Sequence, residues 1–337
     1  MAGATGFASR RCRMTENFRS LAHKPPFMRP TVSVLIAAYN ASPFLGRAVN
    51  SALAQGNAVT EIIVVDDCST DATLELAEAM SRKDGRIKVV HLPKNAGPSV
   101  ARNAGLEVAS GDWVAILDAD DAYAPGRVER LVTVAAAQDA DIVADKFSYY
   151  DPATDASSPA TIGFTDEMTR IDIKTFLTHA RPFGTDTDWG LLKPMFKQEF
   201  LADRSLRYPS DSRHGEDFLF VMDALLEGAK YVASDFHGYM YTPRGAGWSR
   251  TAVNYDGQVD QSKKLLLDHR LSANSRLVGL LKERIRAMER LSAEHKTQTL
   301  IAERRLLPLA TAGVTDWRIA ASILRQVKNK VTAVRAA

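Results

Sequence analysis

The chain has 337 residues, 45% hydrophobic and 25% charged, with 14 prolines and 20 glycines. That balance excludes collagen-like, low-complexity and broadly disordered chains, and the length suffices for a sizeable core in one large domain with an appendage or in two small domains. No apolar run approaches the roughly 20 residues of a membrane-spanning helix. Two cysteines, Cys12 and Cys68, are too few for a disulfide framework or a zinc cluster, so a reducing cytosol is expected. The net charge of +3 hides a segregation: +5 over residues 1–30, −12 over 31–261 and +10 over 262–337. Such ends are expected to meet an anionic surface, a membrane leaflet or nucleic acid, unless they are simply solvated helical faces. The leader through Pro30 has no continuous apolar stretch after its arginines. It is therefore expected to be disordered and not a secretory signal, with Met14 as an alternative start.

In chain order, Val32 to Ala38 is apolar apart from Ser33, the pattern of a strand buried on both faces. Ser42-Pro43 predicts an N-cap followed by proline at the first helical position. Leu45, Ala48, Val49, Ala52 and Leu53 repeat at helical spacing until Gly56-Asn57 ends the helix. A second strand is predicted over Ile62 to Val65, then a helix capped by Ser69 or Thr70 that carries Leu74, Ala77 and Met80. Ile87 to Leu92, Ser99 to Ala109 and Trp113 to Leu117 read as strand, helix and strand. This alternation predicts an α/β fold, a mostly parallel sheet with helices on both faces and right-handed crossovers. Pro125 to Ala137 reads as a helix and Ile142 to Tyr149 as a strand, while 151–162, rich in Asp, Pro, Ala and Ser, reads as a surface loop. Residues 170–261 mix short helices with aromatic and polar clusters and show no clear order. In the tail, Leu277, Leu280, Leu281, Ile285, Met288 and Leu291 form one apolar stripe, with Arg276, Lys282, Arg284, Arg286 and Arg290 mostly off it.

Carboxylates follow two of the strands, at the edge where parallel sheets place ligand sites. Asp66-Asp67 follow the second strand and Asp118-Ala119-Asp120-Asp121 the fourth, so five carboxylates are expected to converge on one crevice. Crowded carboxylates repel unless a cation or hydrogen-bond donors share them, and such oxygens suit Mg²⁺ or Mn²⁺ shared with a substrate diphosphate. Helix capping accounts for any one of these acids, yet three acids in four positions exceed what a cap needs. Competing chemistries of such a sheet lack their residues. Tyr39-Asn40-Ala41-Ser42-Pro43 stands where a dinucleotide site needs Gly-x-Gly-x-x-Gly, and there is no Gly-x-x-x-x-Gly-Lys-Ser/Thr or Gly-x-Ser-x-Gly run. Asn40 replaces the aspartate a phosphatase nucleophile would require, and a phospho-receiver reading leaves the second acid cluster unexplained.

Four ordered motifs carry a family resemblance. Val32-Ser33-Val34-Leu35-Ile36-Ala37-Ala38-Tyr39-Asn40, Val64-Val65-Asp66-Asp67-Cys68-Ser69-Thr70-Asp71, Asn95-Ala96-Gly97-Pro98-Ser99-Val100-Ala101-Arg102-Asn103 and Leu117-Asp118-Ala119-Asp120-Asp121 together resemble glycosyltransferase family 2. The likeness is to the non-processive glucosyltransferases that extend lipid-linked repeat units of bacterial exopolysaccharides such as succinoglycan. It implies the GT-A fold, a nucleotide-sugar donor, a divalent metal (Mn²⁺ or Mg²⁺) and inversion at the anomeric carbon.

By the same resemblance, Tyr39 packs on the uracil ring, Asp67 accepts from the uracil N–H, and Arg102 helps hold the nucleotide. Asp118 contacts the ribose side, Asp120 reaches the metal and Asp121 supports it. His214-Gly215-Glu216-Asp217 resembles the family's Glu-Asp motif, which makes Asp217 the base and Glu216 its orienting or acceptor-binding neighbour. The loop around Arg244, Trp248 and Arg250 is expected to close over the diphosphate or acceptor, with His237 near the phosphates. Lys193-Pro194-Met195-Phe196 is similar to the exopolysaccharide branch. Neither the Gln-x-x-Arg-Trp motif nor the spanning helices of processive synthases are present, so a single transfer per encounter is expected.

The expected organisation is a basic leader over 1–30, a catalytic domain over 31–261 and a helical basic extension over 262–337. The catalytic domain divides into a nucleotide-sugar half, 31–125, and an acceptor half, 126–261. The expected partners are a UDP-sugar, with UDP-glucose first, a lipid-linked or free glycan acceptor, and an anionic membrane surface through 262–337. No nucleic acid is expected, and no oligomeric state is read. The expected place of work is the cytoplasm, peripheral on the inner membrane's cytoplasmic face. The reading from another class is a non-catalytic nucleotide-sugar or glycan-binding scaffold of a polysaccharide assembly complex.

Overall fold

The structure, a computed structural model, describes residues 30–336 apart from 165, 167, 213, 244–253 and 304. The basic leader through residue 29 lies outside the described residues. The strands are β1 (Val32–Ala38), β2 (Val59–Asp66), β3 (Ile87–His91), β4 (Trp113–Ile116), β5 (Ala122–Tyr123), β6 (Ile142–Asp151), β7 (Ala156–Pro159), β8 (Thr169–Ile171), β9 (Met195–Lys197) and β10 (Tyr231–Tyr241). They form one sheet in the order β3-β2-β1-β4-β9-β6-β10-β5, with β7 paired to β6 and β8 to β10. The first four strands pair in parallel, as expected of apolar runs buried on both faces. Antiparallel pairing enters through β9, which joins β4 to β6, while β6 and β10 are again parallel.

The helices are α1 (Ser42–Leu53), α2 (Thr73–Ser81), α3 (Pro98–Val108), α4 (Arg127–Gln138), α5 (Ile173–His179), α6 (Gln198–Asp203), α7 (Glu216–Leu226), α8 (Tyr255–Leu265), α9 (His269–Ser272), α10 (Ser275–Ala302), α11 (Leu306–Thr315) and α12 (Trp317–Ala336). Ile36, Ile62, Leu45, Val49 and Leu131 are fully buried where α1 and α4 cover the sheet, and Leu35 and Ile116 on the face covered by α3.

Two helix starts differ from the sequence expectation. The N-cap of α1 is Ala41, and that of α2 is Ala72; neither uses a side-chain cap. The residues expected as caps, Ser42, Ser69 and Thr70, join the loops after β1 and β2 instead. Ser42 donates through its hydroxyl to Asp71 Oδ2 (2.8 Å). The Asn40 amide N–H donates to Ser69 Oγ (3.0 Å), and the Thr70 N–H to Asn40 Oδ1 (2.8 Å).

Residues 151–162 are not a plain loop, because β7 turns back and pairs antiparallel with the end of β6. Asp151 makes the turn by accepting from the Ala153 N–H (2.9 Å) and the Thr154 hydroxyl (3.0 Å). The expected boundary at 261/262 falls inside α8, which packs on α10. The apolar stripe on α10 is correspondingly buried: Leu281, Ile285 and Met288 belong to the same core as the sheet, with Leu277 and Leu280 packed against it. This stripe therefore faces protein and not a membrane. Arg284, placed off the stripe by spacing, is buried as well, its guanidinium 3.6 Å over the Phe218 ring and 3.7 Å from Asp188.

Candidate active site

The ends of β1, β2 and β4 open on one edge, and α3 and α7 bring charges to it. Asp67, just past β2, accepts from the Ala96 and Gly97 backbone N–H groups, one per carboxylate oxygen, both at 2.8 Å. That bracket fixes the loop leading into α3, whose second turn carries Arg102. Tyr39 is half-buried at the end of β1. Asp66 is turned away, 2.9 Å from His91 Nδ1 and accepting from the Ser69 N–H at 3.1 Å.

Arg102 is the hub of the site. It is buried, and it donates to Asp118 Oδ1 (2.8 Å) and Glu216 Oε1 (2.6 Å), with Asp217 Oδ1 at 3.5 Å. Lys193, 8% exposed, closes the other side: its ammonium lies 2.8 Å from Asp118 Oδ2 and 2.6 Å from Asp217 Oδ2. Arg102, Asp118, Lys193 and Asp217 thus form a closed ring of alternating sign, and Glu216 hangs on it through Arg102. Burial alone would raise the Asp118 carboxyl, but Lys193 and Arg102 outweigh it and hold Asp118 well below the usual carboxylate range. Burial pulls the Lys193 ammonium down, yet Asp118 and Asp217 keep it well above its ordinary value. Three acids share two cations, and burial pushes the Glu216 carboxyl up, against Arg102.

Local sequence explains this placement. Gly215, at φ +79°, is the N-cap of α7, so the chain enters the helix through a left-handed residue and puts Glu216 and Asp217 in its first turn. Acids there are favoured by the free N–H groups of the helix start.

The five carboxylates expected to crowd one crevice are not held that way. Asp66 and Asp67 have the partners just given. Asp121 is buried, accepting from the Tyr239 hydroxyl (2.7 Å) and the Thr242 N–H (2.8 Å), and burial, then Asp120 and Asp118, push its carboxyl far up. Asp120 is half-buried at the turn, where its carbonyl accepts from Arg47 Nη2 (2.5 Å). Among the described residues no group of three or more His, Cys, Asp or Glu side chains converges as a metal cage. The Asp120 carboxylate is of the oxygen-donor type that Mg²⁺ and Mn²⁺ take, and by itself it makes no cage.

His237 is not brought to the ring. Its Nδ1 lies 3.1 Å from the Phe147 carbonyl and 3.4 Å from Ser148 Oγ, so the imidazole ties β10 to β6. Arg244, Trp248 and Arg250 lie outside the described residues. Lys193 and Arg47 received no role from the sequence. The stretch beginning at Lys193 was noticeable, but α1 gave no sign that Arg47 reaches the loop after β4.

Residues 33–200 match the sequence profile described as Glycosyl transferase family 2. The succinoglycan biosynthesis protein ExoU of Rhizobium meliloti (strain 1021) is 34% identical over 266 residues, covering 77% of this chain and 74% of ExoU. ExoO of the same organism, also a succinoglycan biosynthesis protein, is 34% identical over 66% of this chain and 63% of its own length. Among solved structures, Staphylococcus aureus TarS 1–349 in complex with UDP-GlcNAc superposes with a TM-score of 0.58 at 23% identity, covering 70% of this chain and 66% of that one. The chain thus spans somewhat under two thirds of ExoO and about two thirds of that TarS chain.

Proposed function

The chain belongs to glycosyl transferase family 2, and from that premise we infer that it moves a hexose from a UDP-sugar to a glycan acceptor. Its fold is the GT-A architecture that the sequence resemblance implied, with a helical C-terminal extension. Glucose is the first candidate for the hexose, and a lipid-linked exopolysaccharide repeat unit for the acceptor. The succinoglycan relatives support the pathway class, and the UDP-GlcNAc complex of TarS supports a UDP-sugar donor.

The observation that carries this reading is the charged ring, in which the acid after β4 and the acid at the start of α7 share Lys193 and Arg102. The carboxylates read as donor-side and acceptor-side are thereby tied to the same two cations. In the inverting transfer, the acceptor hydroxyl oxygen bonds to the anomeric carbon as the bond from that carbon to the diphosphate oxygen breaks. Asp217 takes the hydroxyl proton as the new bond forms, and UDP leaves with the electron pair. Glu216 orients the acceptor hydroxyl, and Lys193 and Arg102 keep both acids in place. Tyr39 stacks on the uracil, and Asp67 shapes its edge through the loop over residues 95–97. A Mg²⁺ or Mn²⁺ ion held by Asp120 would neutralise charge on the leaving diphosphate.

Turnover across UDP-, GDP- and dTDP-sugars, with a lipid-linked or synthetic glycan acceptor and mass analysis of the product, tests this. UDP release with a product one hexose heavier, lost on chelation and restored by Mn²⁺ or Mg²⁺, is expected. Absence of both binding and turnover for every nucleotide sugar would refute it. We further propose that the protein works on the cytoplasmic face of the membrane, held there by its basic C-terminal segment. Among the described residues no helix is long and apolar enough to cross a membrane.

A further inference from the structure

The hairpin of β6 and β7 and the residue just past Thr242 line an open surface hollow of about 290 Å³ that the charged ring does not use. Its wall includes Tyr149, Tyr150, Asp151, Thr154, Ser157 and Pro243. The volume is just below the ~300–1,000 Å³ typical of small-molecule sites.

Its place in the sheet is informative. β6 and β10 lie on the far side of β4 from β1 and β2, so the hollow is across the Asp118–Asp121 loop from Tyr39 and Asp67. It is also tied to that loop. The Arg47 guanidinium donates to the Asp120 carbonyl and to the Thr242 hydroxyl, and its carbon sits 4.5 Å over the Tyr150 ring. One guanidinium therefore separates the wall of the hollow from the donor loop. Tyr149 is braced by edge contacts with Phe147 (5.4 Å) and Tyr241 (6.0 Å), and the Tyr150 hydroxyl donates to Asp155 Oδ1 (2.9 Å).

Two aromatic side chains beside hydroxyls match what a sugar ring offers, apolar C–H faces ringed by hydroxyl groups. The Asp151 carboxylate, fixed by its own turn, accepts from sugar hydroxyls and repels an acidic sugar. We propose that this hollow is a subsite for a neutral hexose unit of the acceptor glycan and that it excludes a uronate there. The proposal rests on the transferase reading for the word acceptor, while binding of a neutral hexose can be measured independently of transfer.

Saturation-transfer NMR on the full chain with UDP present, using methyl β-glucoside, methyl β-galactoside and methyl β-glucuronide as probes, tests it. The neutral glycosides are expected to receive saturation and the glucuronide little or none. Tyr150→Ala removes an aromatic wall and should weaken neutral binding by about tenfold, the size of one lost aromatic contact. Because it also frees Arg47, Ser158→Trp provides a second variant that fills the hollow from the position opposite Tyr149, not Tyr150. The second variant should leave UDP affinity unchanged by calorimetry. No saturation of any neutral glycoside, equal binding of the glucuronide, or undiminished binding in both variants overturns the subsite. Loss of neutral binding in the variants from a protein that turns over no nucleotide sugar keeps the hexose site and sinks the transferase reading. Transfer with an unchanged acceptor KM in both variants does the reverse.

Discussion

Asparagine at position 217 keeps the side chain's shape and removes its ability to take a proton. Asp217→Asn is expected to lower transfer by about 10²-fold or more while leaving UDP-sugar affinity, read by calorimetry, unchanged. A scaffold that only holds nucleotide sugar would bind and assemble as before. Asp118 makes a different prediction, through stability. Its carboxyl titrates lower in the folded chain than in the unfolded one, so below about pH 5 the unfolded chain binds the extra proton. The stabilisation is complete above the unfolded value of about 4 and is lost as pH falls further. Urea midpoints from pH 6 to pH 3 should therefore fall less steeply for Asp118→Asn than for the wild type; parallel profiles would count against the ring's charge state. The acids and Arg102 were legible because they follow apolar strands or open a helix in motif order. Lys193 was given no role, since its partners Asp118 and Asp217 come from β4 and α7, a pairing that only tertiary structure makes. The convergence of five carboxylates misled for a related reason: the donors that satisfy Asp67 and Asp121 are backbone amides and the Tyr239 hydroxyl, which leave no signature in the sequence.

At the scale of elements, α7 depends on a left-handed entry. Gly215 has φ +79°, and a Cβ there would stand 3.0 Å from the Gln258 side chain. Gly228, just beyond the same helix, has φ +87° with nothing within 4 Å of an added Cβ. Alanine at either position should cost on the order of 1 kcal/mol of stability from the backbone alone. Only Gly215→Ala should also reduce turnover, because it displaces the turn that carries Glu216 and Asp217. Equal turnover in the two variants, at matched loss of denaturant midpoint, would mean that the entry geometry does not position the acids. The central strands and α1 to α4 were legible because burial imposes a period on them. β7 was not, for its residues Ala156-Ser157-Ser158-Pro159 are all exposed and owe their extended form to pairing with β6. β5 and β9, two and three residues long, are too short for any period to register.

For the whole molecule, the tail divides its labour. The stripe on α10 is consumed by the core, while among the described residues Val314 of α11 is 87% exposed and Trp317 and Leu324 of α12 are 76% and 70% exposed. Combined with the +10 of residues 262–337, that is the composition of a surface-binding helix. The full chain should co-sediment with anionic vesicles at low salt and release at high salt. Trp317→Ser with Leu324→Ser should weaken the attachment without lowering the melting temperature, whereas indifference of the wild type to such vesicles would dismiss the membrane role. The stripe's periodicity is plain in the sequence, but what it faces is decided by α5 and α8, whose arrangement no local pattern encodes. The charged ring has a consequence for recombination between relatives. Arg102 and Asp118 belong to the segment before β5, and Lys193, Glu216 and Asp217 to the segment after it, joined in the sheet through the three residues of β9. A chimera that splices a foreign acceptor half onto this donor half inherits a circuit of five charges assembled from two parents. Crossovers between β4 and β9 will be viable where both parents carry the matching signs, and elsewhere will leave a buried ion without its mate.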